Sequence, residues 1–315
     1  MTQLLSGLNS LPGHESAAPP LRRSSFGRRL TETRGWRPAQ DWRRLLDAIR
    51  QGLITHGSAA VARDQHAASH ALRCRQVRPR RIAVIGSNGG VGTTTTAVLL
   101  ASVLAAARDD HTLLLTVHSD ASDAAARLAV PYAPSVSEVL AAMRRHGRIP
   151  PTPVMRSGLR VLSAPSPSAA AAVDSGLGAL LDVAATGHGC VVVDAGVVSR
   201  IGDLTTLAGL FDTVVLVCAA AAHGVDSANA VMTRWRAELS PATPSRLILA
   251  PVRIRAGGSS PGNDPLERLS AEPAATHVLA HDAELGMGRP IDLNLISGSS
   301  LSAALLLGAD IMGRR

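Results

Sequence analysis

The chain has 315 residues, enough for one large or two small domains, and a formal net charge of +8. An apolar fraction of 46% supplies a packed core, yet only six residues are aromatic, so alanine, valine and leucine must fill it. No segment approaches ~20 uninterrupted apolar residues, no charged-then-apolar leader opens the chain, and Cys74, Cys190 and Cys218 lack paired or metal-like spacing. This excludes a membrane-spanning or disulfide-built protein and points to a cytoplasmic one with reduced thiols.

The charge is unevenly placed. Every basic residue is an arginine; residues 1–81 hold 15 of them against five acids, and residues 82–315 hold 17 against 19. Residues 1–35, rich in Ser, Pro, Gly and Arg without periodicity, read as a disordered basic arm. Within residues 36–54, Trp42, Leu45, Leu46, Ile49 and Leu53 recur at helical spacing, which predicts a short basic amphipathic helix that docks on the body, a partner or an anionic surface. Residues 56–80 read as a polar, partly helical linker.

From Arg81 strands and helices alternate, the pattern of a mostly parallel sheet with helices on both faces. Ile82–Ile85 is a β-branched strand, Gly86–Gly92 a turn with four glycines, and Thr93–Ala107 a helix of small and apolar residues. Thr112–Val117 is a second strand, and Ser135 with Glu138 forms a capping box for a helix over Val136–His146. Leu159–Ser163 is a third strand, 164–172 an Ala/Ser/Pro loop, and Asp174–Ala185 a helix. Cys190–Asp194 and Thr213–Cys218 are strands, Asp226–Leu239 a helix and Arg246–Ala250 a sixth strand. A Gly/Ser/Pro-rich loop at 255–273, a short segment at His277–Ala280 and a helix from about Leu301 close the domain.

A strand, a glycine-rich turn and a helix N-terminus make an anion cradle, because glycine lets backbone N–H groups approach a phosphate and the helix dipole favours its charge. The stretch matches the Walker A pattern in part: Gly92 and Thr94 fit, while Ser87 replaces the first glycine and Thr93 the lysine. Asp194, at the end of a valine run, is placed as a Walker B carboxylate, able to hold magnesium together with the Thr94 hydroxyl.

The wider loop Asn88-Gly89-Gly90-Val91-Gly92-Thr93-Thr94-Thr95 resembles the deviant Walker A loop, K-G-G-x-G-K-[ST]-T, of the ParA/MinD family. Gly35-Trp36-Arg37, the stretch Leu159–Pro165 and the closing stretch His281–Ile296 resemble most nearly the MinD-like proteins of type VII (ESX) secretion loci. The resemblance spans roughly residues 36–315. It implies a P-loop NTPase three-layer sandwich over 81–315, ATP and Mg2+ as ligands, a homodimer, and a secretion- or positioning-machinery partner.

Against that family the chemistry is depleted. The lysine that reaches across the family's dimer is here Asn88, and the lysine that holds the β- and γ-phosphates is Thr93. The family's D-x-D at the end of the second strand falls on Thr116 and His118, with Asp120 and Asp123 arriving late; its adenine-facing asparagine falls on Ala250-Pro251. Losing a charge-assisted donor in a partly dry site costs about 1.5–3 kcal/mol, and phosphoryl transfer depends on such groups almost entirely. The expectation is a nucleotide-binding switch or scaffold with weak or absent hydrolysis, its site formed by residues Asn88 to Thr95. A slow genuine ATPase, and a nonspecific DNA binder acting through the arginine-rich arm, stand as alternatives.

Overall fold

A computed structural model describes residues 59–313 apart from short breaks, the longest at 164–175 and 256–263. The chain divides into two units, residues 1–37 and 38–315, and the described residues all belong to the second. The arm and the amphipathic helix expected before residue 55 lie outside them.

Seven strands form one sheet: β1 (Arg80–Gly86), β2 (Thr112–Thr116), β3 (Leu159–Leu162), β4 (Cys190–Val197), β5 (Thr213–Ala219), β6 (Arg246–Val252) and β7 (Ala275–Thr276). Their order is β3-β2-β4-β1-β5-β6-β7, and every pairing is parallel. The helices are α1 (Ala59–Arg73), α2 (Thr93–Ala107), α3 (Ala124–Arg127), α4 (Val136–His146), α5 (Leu177–Gly187), α6 (Leu204–Leu210), α7 (Ala222–Glu238), α8 (Ala283–Gly286) and α9 (Gly298–Gly313). This is the expected α/β, P-loop NTPase-like three-layer sandwich.

The strands read as near-continuous apolar runs because both sheet faces are covered, and successive side chains enter opposite cores. In β1, Ile82 and Val84 join one core while Ala83 and Ile85 join the other; in β4, Cys190 and Val192 separate likewise from Val191 and Val193. The first core holds α1, α2 and α9, and the second α5, α6 and α7. Burial pushes the thiols of Cys190 and Cys218 up to about 12, so both remain protonated and inert.

Helix α2 lies innermost. It is buried at every residue from Thr96 to Ala107, between the sheet and α9. Only a helix that is apolar on all sides can occupy such a place, and its small side chains let its neighbours come close. Gly308 of α9 illustrates this: a Cβ there would stand 3.1 Å from Leu72 Cδ2 of α1.

Several elements differ from expectation, among them the short helices α3 and α8 and the placing of β7 at Ala275–Thr276. Residues 59–73, read as part of a polar, partly helical linker, form α1, which packs on the body: Leu72 is fully buried and Gln65 donates to Ser302 Oγ at 3.0 Å. The packed body therefore reaches back beyond Arg81. Helix α6 was not expected; Asp203 caps it by accepting from the amides of Thr205 and Thr206, and Leu204, Leu207 and Ala208 carry the helical spacing that marks it. The Ser135–Glu138 capping box forms as expected, with Ser135 N donating to Glu138 Oε2 at 2.7 Å and Glu138 N to Ser135 Oγ at 3.2 Å.

Leu100 is fully buried in α2. Leu100→Ala is expected to lower the unfolding free energy by about 2–5 kcal/mol, read as a shift of the urea midpoint at unchanged slope.

Candidate functional site

The site forms where the chain's connections diverge. From β1 the chain crosses to β2 on one side of the sheet, and from β5 it continues to β6 on the other, opening a crevice beyond the strands' carboxyl ends. The loop Ser87–Gly92 bridges β1 and α2 there, anchored by Ser87 N donating to Val217 O at 2.8 Å.

Two glycines give the loop its shape. Gly90 (φ 76°) and Gly92 (φ 91°) lie in the left-handed region that side-chain-bearing residues rarely adopt. Gly92 is the N-cap of α2 and offers no side-chain acceptor, so the first intrahelical bond is Thr96 N to Gly92 O at 2.8 Å. The amides of the first turn and the positive end of the α2 dipole thus remain available to an anion. The loop opens on a cavity of about 450 Å3, lined by Asn88 to Thr96 except Val91, by His118, Arg127 and Gly196, and by residues 252–254 and 279–288 in part.

Each predicted site residue is accounted for. Gly89, Gly90, Gly92 and Thr93 to Thr95 line the cavity, while Val91 turns inward and is buried. Asn88 does not extend: Ser87 Oγ donates to its Oδ1 at 2.7 Å, and its Nδ2 donates to Ser227 Oγ of α7 at 3.2 Å, so its side chain is held within its own subunit. Thr93 folds back over the strand end, where a Cβ on Gly86 would collide with its hydroxyl. Its short side chain occupies the root of the space along which a lysine stem would run.

Asp194 is fully buried in β4, and its Oδ2 stands 2.9 Å from His118 Nε2. The same imidazole nitrogen is 3.5 Å from Thr94 Oγ1. Gly196, with φ 70°, holds the ring from beside β4: a Cβ there would sit 3.1–3.2 Å from His118 Cγ, Cβ and Cδ2. Thr94 and Asp194 were expected to hold magnesium together. The His118 ring lies between them, and that arrangement does not fit a magnesium ion. Thr116 pairs with Asp194 across β2 and β4. Of the late aspartates, Asp123 caps α3 by accepting from Ala126 N at 2.8 Å, and Asp120 lies outside the described residues.

Ala250 and Pro251 lie inside β6, whose end is Val252, rather than after it. Pro251 is tolerated near the strand end, past the two residues of β7, where an isolated bridge joins Val252 to Leu279. Val252, Arg253 and Ile254 therefore face the cavity in place of the expected pair.

Arg127 is a residue that the sequence pattern does not single out. It is buried, lines the cavity, and donates to Thr95 Oγ1 (3.1 Å), Leu285 O (2.8 Å) and Arg289 O (2.6 Å). All three acceptors are neutral. Burial lowers its pKa from the ordinary arginine value, partly opposed by the charge of Glu284. A desolvated guanidinium beside the loop is a cation for an anionic ligand. Its spacing from the P-loop, over 30 residues in sequence, left no local signal to find it by.

No protein-family model and no curated protein matches the chain. Solved structures do. A ParA family ATPase from Chlorobium tepidum TLS superposes with a TM-score of 0.55 at 14% identity, covering 74% of this chain and 98% of that one. A McdA–ATP complex of Cyanothece gives a TM-score of 0.57 at 17% identity, covering 76% and 98%. A MinC:MinD cell division protein complex of Aquifex aeolicus gives 0.55 at 14%, covering 75% and 96%. The fold is that of the ParA/MinD-type ATPases.

Gly196→Ala is expected to cost about 1–3 kcal/mol, since it adds backbone strain and presses on the His118 ring. Urea unfolding followed by circular dichroism measures it.

Proposed function

We propose that this chain is a ParA/MinD-like nucleotide-binding protein that holds ATP in the cavity beyond β1, hydrolyses it very slowly or not at all, and acts as a switch or scaffold. The observation that carries this reading is the glycine-shaped loop at the N-terminus of α2, with its amides and Arg127 facing a cavity of about 450 Å3. That volume lies in the usual range of small-molecule sites, ~300–1,000 Å3. The main chain of Asn88 to Thr95 would contact the phosphates, and Val252, Ile254 and Leu279 would offer the base an apolar wall.

Weak turnover follows from what surrounds the phosphates. Neither residue 88 nor residue 93 is cationic, and Asn88 is tied to Ser227 of its own subunit. Any homodimer would therefore form without the cross-subunit cation that the family resemblance implies. The finer assignment, an accessory of a type VII secretion or positioning assembly, rests on the sequence stretches at 35–37, 159–165 and 281–296. A slow genuine ATPase is the second reading, favoured by Arg127, whose guanidinium lies 3.1 Å from Thr95 Oγ1 and supplies one buried cation.

Two measurements test this. Phosphate release by the pure protein is expected at least about 100-fold below that of a ParA/MinD-type ATPase assayed alongside, the loss typical of one missing transition-state donor. Comparable turnover would overturn the switch reading in favour of the second. Thr93→Lys is expected to tighten ATP binding roughly tenfold or more in equilibrium titration, the worth of one charge-assisted donor.

A further inference from the structure

The geometry around Asp194 points to a phosphate site that works without a divalent metal. We infer that the His118 imidazole takes the place of the magnesium ion, so that this chain binds metal-free nucleoside triphosphate. The inference rests on the nucleotide-binding reading above and adds to it the form of the ligand.

Two observations carry it. First, the ring nitrogen lies on the ground the ion would need. His118 Nε2 is 2.9 Å from Asp194 Oδ2 and 3.5 Å from Thr94 Oγ1. Magnesium demands oxygen ligands in near-octahedral geometry at about 2.1 Å. An ion at that distance from Thr94 Oγ1, on the line to Nε2, would lie inside contact distance of the nitrogen. Second, the ring is fixed. It is buried, and Gly196 in its left-handed conformation closes against Cβ, Cγ and Cδ2, so a side chain at 196 would press on it.

The arrangement also supplies what a metal would have supplied. His118 Nε2 stands 2.9 Å from Oδ2 of the buried Asp194 carboxylate, on the side a hydrated ion would otherwise meet. Arg127 and the first-turn amides of α2 face the remaining phosphate charge. The bound species would be the free triphosphate, since a magnesium-bound one brings an ion into the space of the ring.

The experiment is an equilibrium titration of the full-length protein with fluorescently labelled ATP, once in excess EDTA and once in excess Mg2+. The expected result is a Kd in EDTA equal to or below that in Mg2+. His118→Asp, and His118→Ser as a second variant with the site emptied, are expected to reverse the order, with binding at least about tenfold tighter in Mg2+. Wild-type binding at least tenfold weaker in EDTA would overturn the inference and leave the nucleotide-binding reading standing. An absence of binding under both conditions would overturn that reading itself, and the inference with it.

Discussion

The burial of α2 on all sides is the constraint from which the rest follows. A helix clamped between a parallel sheet and α9 cannot shift along its axis without opening both cores. Its N-terminus is thereby set at the carboxyl edge of the sheet, and the loop entering it must turn within six residues from Ser87 to Gly92. Only left-handed glycines allow that turn, and the turn leaves the first amides of α2 without acceptors. The anion cradle is thus a consequence of packing. It persists whatever side chains stand at 88 and 93.

Those side chains have instead turned to local partners. Asn88 bonds to Ser227, and Thr93 folds over Gly86. His118 meets Asp194, whose buried carboxylate also accepts from Gly196 N at 3.4 Å. At Asn88 and His118 the side chains have contacts inside the subunit, whereas the buried Thr116 hydroxyl has no hydrogen-bond partner. In a family member charged at these places, ligand and metal would satisfy the same groups. Beside the loop, the buried cation that faces the cavity is Arg127, held by neutral oxygens of the P-loop helix and of the closing segment 285–289.

Much of this was legible before any coordinates. Strand β1, helix α2, the capping box at Ser135 and the valine run ending in Asp194 announced themselves, because each is a local pattern: β-branched runs, an unbroken apolar helix, paired polar residues three apart. The shortfalls have equally definite causes. Helix α1 looked like a linker because its face toward α9 is made of Ala68 and Leu72 among polar residues, too narrow a stripe to register without its partner. The end of β6 was placed too early, because Pro251 reads as a strand breaker when the shortness of β7 beside it is unknown.

By itself, then, the chain's sequence determined the sandwich, the loop, and the absence of lysine from it, all properties of neighbouring residues or of composition. Only the tertiary structure decided that Asn88 is held by Ser227, that Arg127 closes on Thr95, and that His118 stands between Thr94 and Asp194. These contacts join residues 139, 32 and 24 or more positions apart. Their geometry is set by how strands β2, β4 and β1 line up in the sheet, and no local pattern encodes that alignment.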